Sequence, residues 1–142
     1  MRESLPCFGA LVIVPPMAMV LWVAMGGAIG AGARYLVGVQ AVRLLGHGFP
    51  WGTLIVNVAG SFAMGVLISL FALKIEASQE VRAFLTTGIL GGFTTFSAFS
   101  LDFAVLVERK ALASAGLYTL GSVGISIMAL FAGMLLVRAV IQ

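Results

Sequence analysis

Gly91-Gly92-Phe93-Thr94-Thr95-Phe96-Ser97-Ala98-Phe99-Ser100 sits inside an otherwise apolar stretch running from Val81 to Val107. Its composition is wrong for an ordinary membrane helix. Two adjacent glycines weaken helical backbone, Thr94 and Thr95 carry hydroxyls that compete for main-chain groups, and Phe93, Phe96 and Phe99 follow at three-residue spacing. A helix interrupted at membrane depth is tolerated only where the freed backbone is buried in protein or lines a cavity. In transporters, unwound carbonyls of this kind often hold cations. The stretch therefore predicts a third helix broken near Gly91-Thr95, and function is expected there.

The rest of the chain reads as an all-α membrane protein. Charged residues make up 9% of the 142, against about 25% in a typical soluble domain, and mean hydropathy is +1.16. Four apolar segments follow one another: Met17 to Leu45, Pro50 to Leu73, Val81 to Val107 and Ala111 to Val137. Each exceeds the ~20 residues needed to cross the hydrocarbon core. The turns between them are short, and Pro50 suits the first turn of the second helix, where its missing N–H would have no partner. Trp22 and Trp51 read as interfacial anchors. Residues 17–142 then form one four-helix transmembrane domain. Residues 1–16, set off by Pro15-Pro16, read as a dispensable extension at the interface and not as a cleaved signal peptide.

Composition also excludes several classes. The single cysteine, Cys7, rules out an internal disulfide or a multi-cysteine metal site. The net charge of +3 does not imply nucleic acid, because no basic run is longer than Arg109-Lys110. Those cations instead divide evenly between the two ends of the bundle. Arg2, Lys74, Arg82 and Arg138 fall on one side, and Arg34, Arg43, Arg109 and Lys110 on the other. The positive-inside rule then gives no preferred orientation, which suits a chain that inserts both ways and pairs as an antiparallel dimer. Gly26 with Gly30, and Gly88 with Gly92, form small-residue steps that let helices one and three approach closely.

Polar groups are spaced to share helix faces. Asn57 and Ser61 lie one turn apart in helix two, while Tyr118, Ser122 and Ser126 form a hydroxyl stripe in helix four. Phe96 and Phe99 share a face after the break. Amides, hydroxyls and ring edges all offer positive potential. Single serines read most simply as glue between helices, worth ~0.6 kcal/mol each; the set reads as a solvated path. Such a lining suits an anion, since it supplies donors without a buried cation that would trap it. Arg34, near the end of helix one, would raise anion concentration at a vestibule. On these grounds alone the solute is a small anion or polar species.

Three stretches make the resemblance specific. Gly27-Ala28-Ile29-Gly30-Ala31-Gly32-Ala33-Arg34-Tyr35, Gly52-Thr53-Leu54-Ile55-Val56-Asn57-Val58-Ala59-Gly60-Ser61-Phe62 and Gly88-Ile89-Leu90-Gly91-Gly92-Phe93-Thr94-Thr95-Phe96-Ser97-Ala98-Phe99-Ser100 resemble, in order and spacing, the signature stretches of the Fluc (CrcB) fluoride channels. The resemblance implies a bacterial inner-membrane channel that gives fluoride resistance, built as an antiparallel, dual-topology homodimer with two fluoride pores. It implies a fluoride path lined by Asn57, Phe96 and Phe99, continued by Tyr118, Ser122 and Ser126, with Ser97 beside it. It further implies that the main-chain carbonyls of Gly91 and Thr94, from both subunits, hold a structural sodium ion, and that Arg34 is the vestibule arginine.

Two positions depart from the family pattern. Ala98 stands where many relatives have threonine, and Asp102 where a longer acidic residue is common. Asp102 is expected away from the anions, as an interfacial residue. The sequence also weighs against other classes. A proton-coupled exchanger of a small anion is the alternative, with Asp102 and Tyr118 as the candidate titrating groups within spans, neither with an obvious partner. An intramembrane hydrolase lacks a nucleophile with a base, since the one histidine, His47, lies in a turn. The stretch Gly88-Ile89-Leu90-Gly91-Gly92 lacks the Gly-Lys-Ser/Thr ending of a nucleotide loop.

Overall fold

With no water in a bilayer core to satisfy main-chain groups, an apolar chain must pair its own N–H and C=O groups within each segment, which selects the helix. The computed structural model describes residues 17–141 and places four helices long and apolar enough to cross a membrane. They span Met17–Leu45, Trp51–Leu73, Gln79–Glu108 and Leu112–Ile141, and are called helices one to four. The extension expected over residues 1–16 lies outside the described residues.

The ends of the helices follow local chemistry. Helix one stops where Gly46 takes a left-handed φ of 81° and its N–H donates to Val42 O at 2.9 Å. Pro50 directly precedes helix two, and its carbonyl accepts the first helical bond, from Leu54 N–H at 3.2 Å. Helix three begins at Gln79, earlier than the apolar run suggests, because the Ser78 hydroxyl caps it by accepting from Val81 N–H. It ends in a Schellman motif. Lys110 sits at φ 58° and donates to Val107 O, and Ala111 N–H reaches back to Leu106 O at 3.0 Å.

Glycines decide which helices touch. A Cβ on Gly26 would stand 2.9 Å from Gly88 Cα, and one on Gly92 would stand 3.0 Å from Gly27 Cα, so helices one and three are packed backbone to backbone. The expected small-residue steps thus meet each other. Helices two and four do the same through Gly65, set against the Leu130 carbonyl, and Gly133, set against the Phe62 carbonyl; that second pair carries no GxxxG step. Helix three also contains a π-helical segment, Phe84–Leu90, and helix four another, Gly121–Ile125. Both were invisible to spacing arguments based on 3.6 residues per turn.

The small core lies at one end of the bundle. Phe99, Leu106, Ala115 and Tyr118 are buried together, with Phe49, Leu54 and Ala111 packed against them. Large apolar side chains elsewhere, among them Leu101, Leu117 and Val140, point outward, as a lipid-facing surface requires.

Candidate functional site

The break in helix three falls at Thr94 and Thr95, between the helical turn Gly91–Phe93 and the helix Phe96–Glu108. Thr94 has ψ 160°, and Thr95 has φ −157° and ψ 126°, both extended. The break therefore falls within the expected region, but its cause differs from the one the glycines suggested. Gly91 and Gly92 remain helical, and Gly92 serves the contact with helix one. The threonines interrupt the helix instead. Thr95 restarts it as an N-cap, its hydroxyl accepting from Ala98 N–H at 3.2 Å. Thr94 turns its hydroxyl back to donate to Leu90 O at 2.9 Å.

Asn57 holds the break open. Its Nδ2 donates to Thr95 O at 3.0 Å, and its Oδ1 accepts from Thr95 N–H at 2.8 Å. One side-chain amide thus replaces a stretch of helical ladder. In a continuous helix Thr95 N–H would bond Gly91 O, and Ala98 N–H would bond Thr94 O. Asn57 takes the first donor and the Thr95 hydroxyl takes the second. The carbonyls of Gly91 and Thr94 are released from the ladder by these two substitutions.

From the break a series of rings runs inward. Phe96, 75% exposed on this single chain, lies 5.4 Å from buried Phe99 between ring centroids; Phe99 lies 5.2 Å from Tyr118, which is fully buried. Phe49 meets the Tyr118 ring edge-on at 5.6 Å. Helices three and four thus bring Phe96, Phe99 and Tyr118 into one line. Ser97 stays exposed beside the break, its hydroxyl 3.2 Å from that of Thr95. Further along helix four Ser122 is buried, and the Ser126 hydroxyl is buried with no hydrogen-bond partner among the described residues. Ser61 is half-buried on the same helix as Asn57.

Asp102 is half-buried, and it is the common acceptor of a cluster: Thr53 Oγ1 donates to its Oδ2 at 2.6 Å and Tyr118 OH donates to the same oxygen at 3.0 Å. Asp102 and Tyr118, which showed no partner in the sequence, are each other's partner. Arg34 lies about 16 Å short of the end of helix one at ~1.5 Å per residue, inside the span. Thr53, Thr95 and Phe49 were missed as site residues. A threonine before a restarted helix is a capping signal and would have pointed to Thr95; nothing local distinguishes Thr53 or Phe49.

The family model described as "CrcB-like protein, Camphor Resistance (CrcB)" matches residues 21–134. Among curated proteins, the chain is 57% identical over 125 residues to "Fluoride-specific ion channel FluC" of Chelativorans sp. (strain BNC1), covering 88% of this chain and 100% of that protein. It is 56% identical over 122 residues to the protein of the same name in Agrobacterium fabrum (strain C58 / ATCC 33970), covering 86% and 98%. With the corresponding protein of Rhodospirillum centenum (strain ATCC 51521 / SW) it shares 54% identity over 125 residues, covering 88% and 99%.

Proposed function

The chain belongs to the CrcB-like family, and on that footing we propose that it is a passive fluoride channel of a bacterial membrane, working without enzymatic chemistry. Hydrogen fluoride crosses bilayers as a neutral acid and dissociates in a less acidic cytoplasm. The anion left behind cannot return through lipid. A selective pore lets the membrane potential expel it without ATP.

The observation that carries the reading is the pair of hydrogen bonds between Asn57 and Thr95 at the start of the ring series. It fixes an interrupted helix beside Phe96 and Phe99. Asn57 keeps one Nδ2 hydrogen beyond the one given to Thr95 O, and that donor faces the path in our reading. A dehydrating fluoride passes from this amide to the edges of Phe96 and Phe99, with the Ser97 hydroxyl alongside, and the hydroxyls of Tyr118, Ser122 and Ser126 continue the path. The half-exposed ring series of one chain is completed by a second, antiparallel copy, so that a dimer carries two pores. The even split of cations across the bundle supports dual topology.

The structural sodium of that reading suits the donors present. Hard cations take oxygen ligands, and the carbonyls of Gly91 and Thr94 are the two that lose their helical donors to Asn57 and Thr95. Two copies would supply four such oxygens. A bound sodium would add a fixed positive charge near two anion paths. Arg34, within the span, would add another.

The test is potassium-driven fluoride efflux from proteoliposomes with valinomycin, read by a fluoride electrode and repeated with chloride. Fast fluoride release without chloride, persisting without a proton gradient, establishes the channel; no release from folded dimers refutes it. The hydrogen bond between Tyr118 and Asp102 favours one second reading, a proton-coupled exchanger, because it places a titratable pair on the path. Release that requires a proton gradient, and loses that requirement in Asp102→Asn, would establish it.

A further inference from the structure

A cavity of about 600 Å³ opens where the turn between helices one and two meets the second half of helix three. Its lining includes Arg43 from the last turn of helix one, His47 from the turn, Trp51 and Thr53 from the start of helix two, Asp102 from helix three and Arg109 from just after its end. At the ~30 Å³ that a water occupies in the liquid, the space holds on the order of 20 waters. An anion inside it keeps its hydration shell.

The cavity meets the ring series at its inner end. Thr53 and Asp102 belong both to the lining and to the hydrogen-bonded cluster with Tyr118, whose ring lies 5.2 Å from Phe99. Arg34 lies outside this lining, so its expected vestibule is a different place. Two arginines, Arg43 and Arg109, line the cavity with a single carboxylate, that of Asp102, whose Oδ2 already accepts from two hydroxyls. On a flat surface salt would screen those charges within ~8 Å. In a concavity walled by apolar side chains such as Val39, Val42 and Leu106 the field is focused into the water.

We propose that this cavity is an electropositive mouth, in which Arg43 and Arg109 concentrate hydrated anions before they reach Thr53 and Tyr118. The identity of the physiological anion rests on the fluoride-channel reading; the enrichment itself rests on the cavity alone.

Trp51 makes the mouth observable. The chain has two tryptophans, so Trp22→Phe leaves Trp51, in the lining, as the sole indole reporter. Its fluorescence in the full-length, detergent-solubilised protein is quenched with iodide, and with neutral acrylamide, at constant ionic strength. Adding Arg43→Gln and Arg109→Gln is expected to lower iodide quenching about twofold or more while acrylamide quenching stays unchanged. Arg43→Lys with Arg109→Lys, which keeps the charge, is expected to restore it. Unchanged iodide quenching in the glutamine variant overturns the proposal. In proteoliposomes the same glutamine variant is expected to need a several-fold higher fluoride concentration for half-maximal efflux, with the plateau rate kept. An unchanged half-saturation in a conducting protein overturns the role as a mouth. Absence of efflux from the unmodified chain, with iodide quenching still dependent on the arginines, upholds anion enrichment and refutes the channel instead.

Discussion

Asn57 grips Thr95 by both main-chain groups, accepting from its N–H at 2.8 Å and donating to its carbonyl at 3.0 Å. A side chain thirty-eight positions away thus does for the interrupted helix what its own backbone does elsewhere. The exchange has two results at once: the chain can bend without leaving the Thr95 N–H unpaired in the membrane, and the Gly91 carbonyl is set free from that donor.

Asn57→Asp keeps the acceptor for Thr95 N–H but removes the donor to Thr95 O and puts a carboxylate against a carbonyl. The unpaired and repelled groups cost about 1–3 kcal/mol, and the new charge repels any anion. Thermal unfolding in detergent is expected to drop, and fluoride efflux to fall by about tenfold or more. Efflux at the unmodified rate would reduce Asn57 to a packing residue.

Thr95→Ala removes the cap on the restarted helix, where the hydroxyl accepts from Ala98 N–H. A loss of about 1 kcal/mol is expected, seen as a lower unfolding midpoint. Thr95→Ser retains the oxygen and is expected to recover most of it. Equal midpoints for alanine and serine would show that the cap carries no stability.

Phe96→Ile separates function from fold. The ring is 75% exposed on the single chain, so its replacement by an apolar side chain of similar bulk leaves the core of Phe99, Leu106, Ala115 and Tyr118 in place. Circular dichroism and unfolding are expected to match the unmodified protein. Fluoride efflux is expected to fall by about tenfold, since a saturated side chain has no electropositive ring edge. Normal efflux would remove Phe96 from the path.

Lys110 occupies the left-handed position of the Schellman motif closing helix three, at φ 58°. A residue with a Cβ pays about 1–2 kcal/mol there, and glycine does not. Lys110→Gly is expected to raise the unfolding midpoint with unchanged efflux, because Lys110 lies outside both the ring series and the cavity lining. A lower midpoint would mean that the lysine side chain contributes more than the backbone costs.

Much of the architecture was legible because a bilayer leaves few options. Runs of twenty or more apolar residues, separated by Gly46-His47-Gly48-Phe49-Pro50, Lys74 to Glu80 and Glu108-Arg109-Lys110, leave no alternative to four crossings. The region of the break was legible too, since glycines and threonines are unsuited to an uninterrupted span. Which of them interrupts it was not: Gly92 turned out to be a contact with Gly27, and the unwinding passed to Thr94 and Thr95. Packing between helices is a property of two surfaces, and one helix's sequence displays only its own.

The partnership of Asp102 with Thr53 and Tyr118 belongs to the same class. Read along the chain, Asp102 was a charge without a partner. Tertiary structure satisfied it with two hydroxyls from neighbouring helices, which offsets the cost of its half-burial. Arg43 and His47, at the end of helix one, and Arg109, just after helix three, likewise lie far apart in sequence, and only the closing of the bundle makes them walls of one cavity. Periodicity and hydropathy act locally, residue by residue, so the chain by itself determined that four helices cross and that the third is interrupted. Where two groups from different helices meet depends on the rotation and depth of each helix against the next; that is why the Asn57 clamp, the line of rings and the charged mouth were decided by the tertiary structure alone.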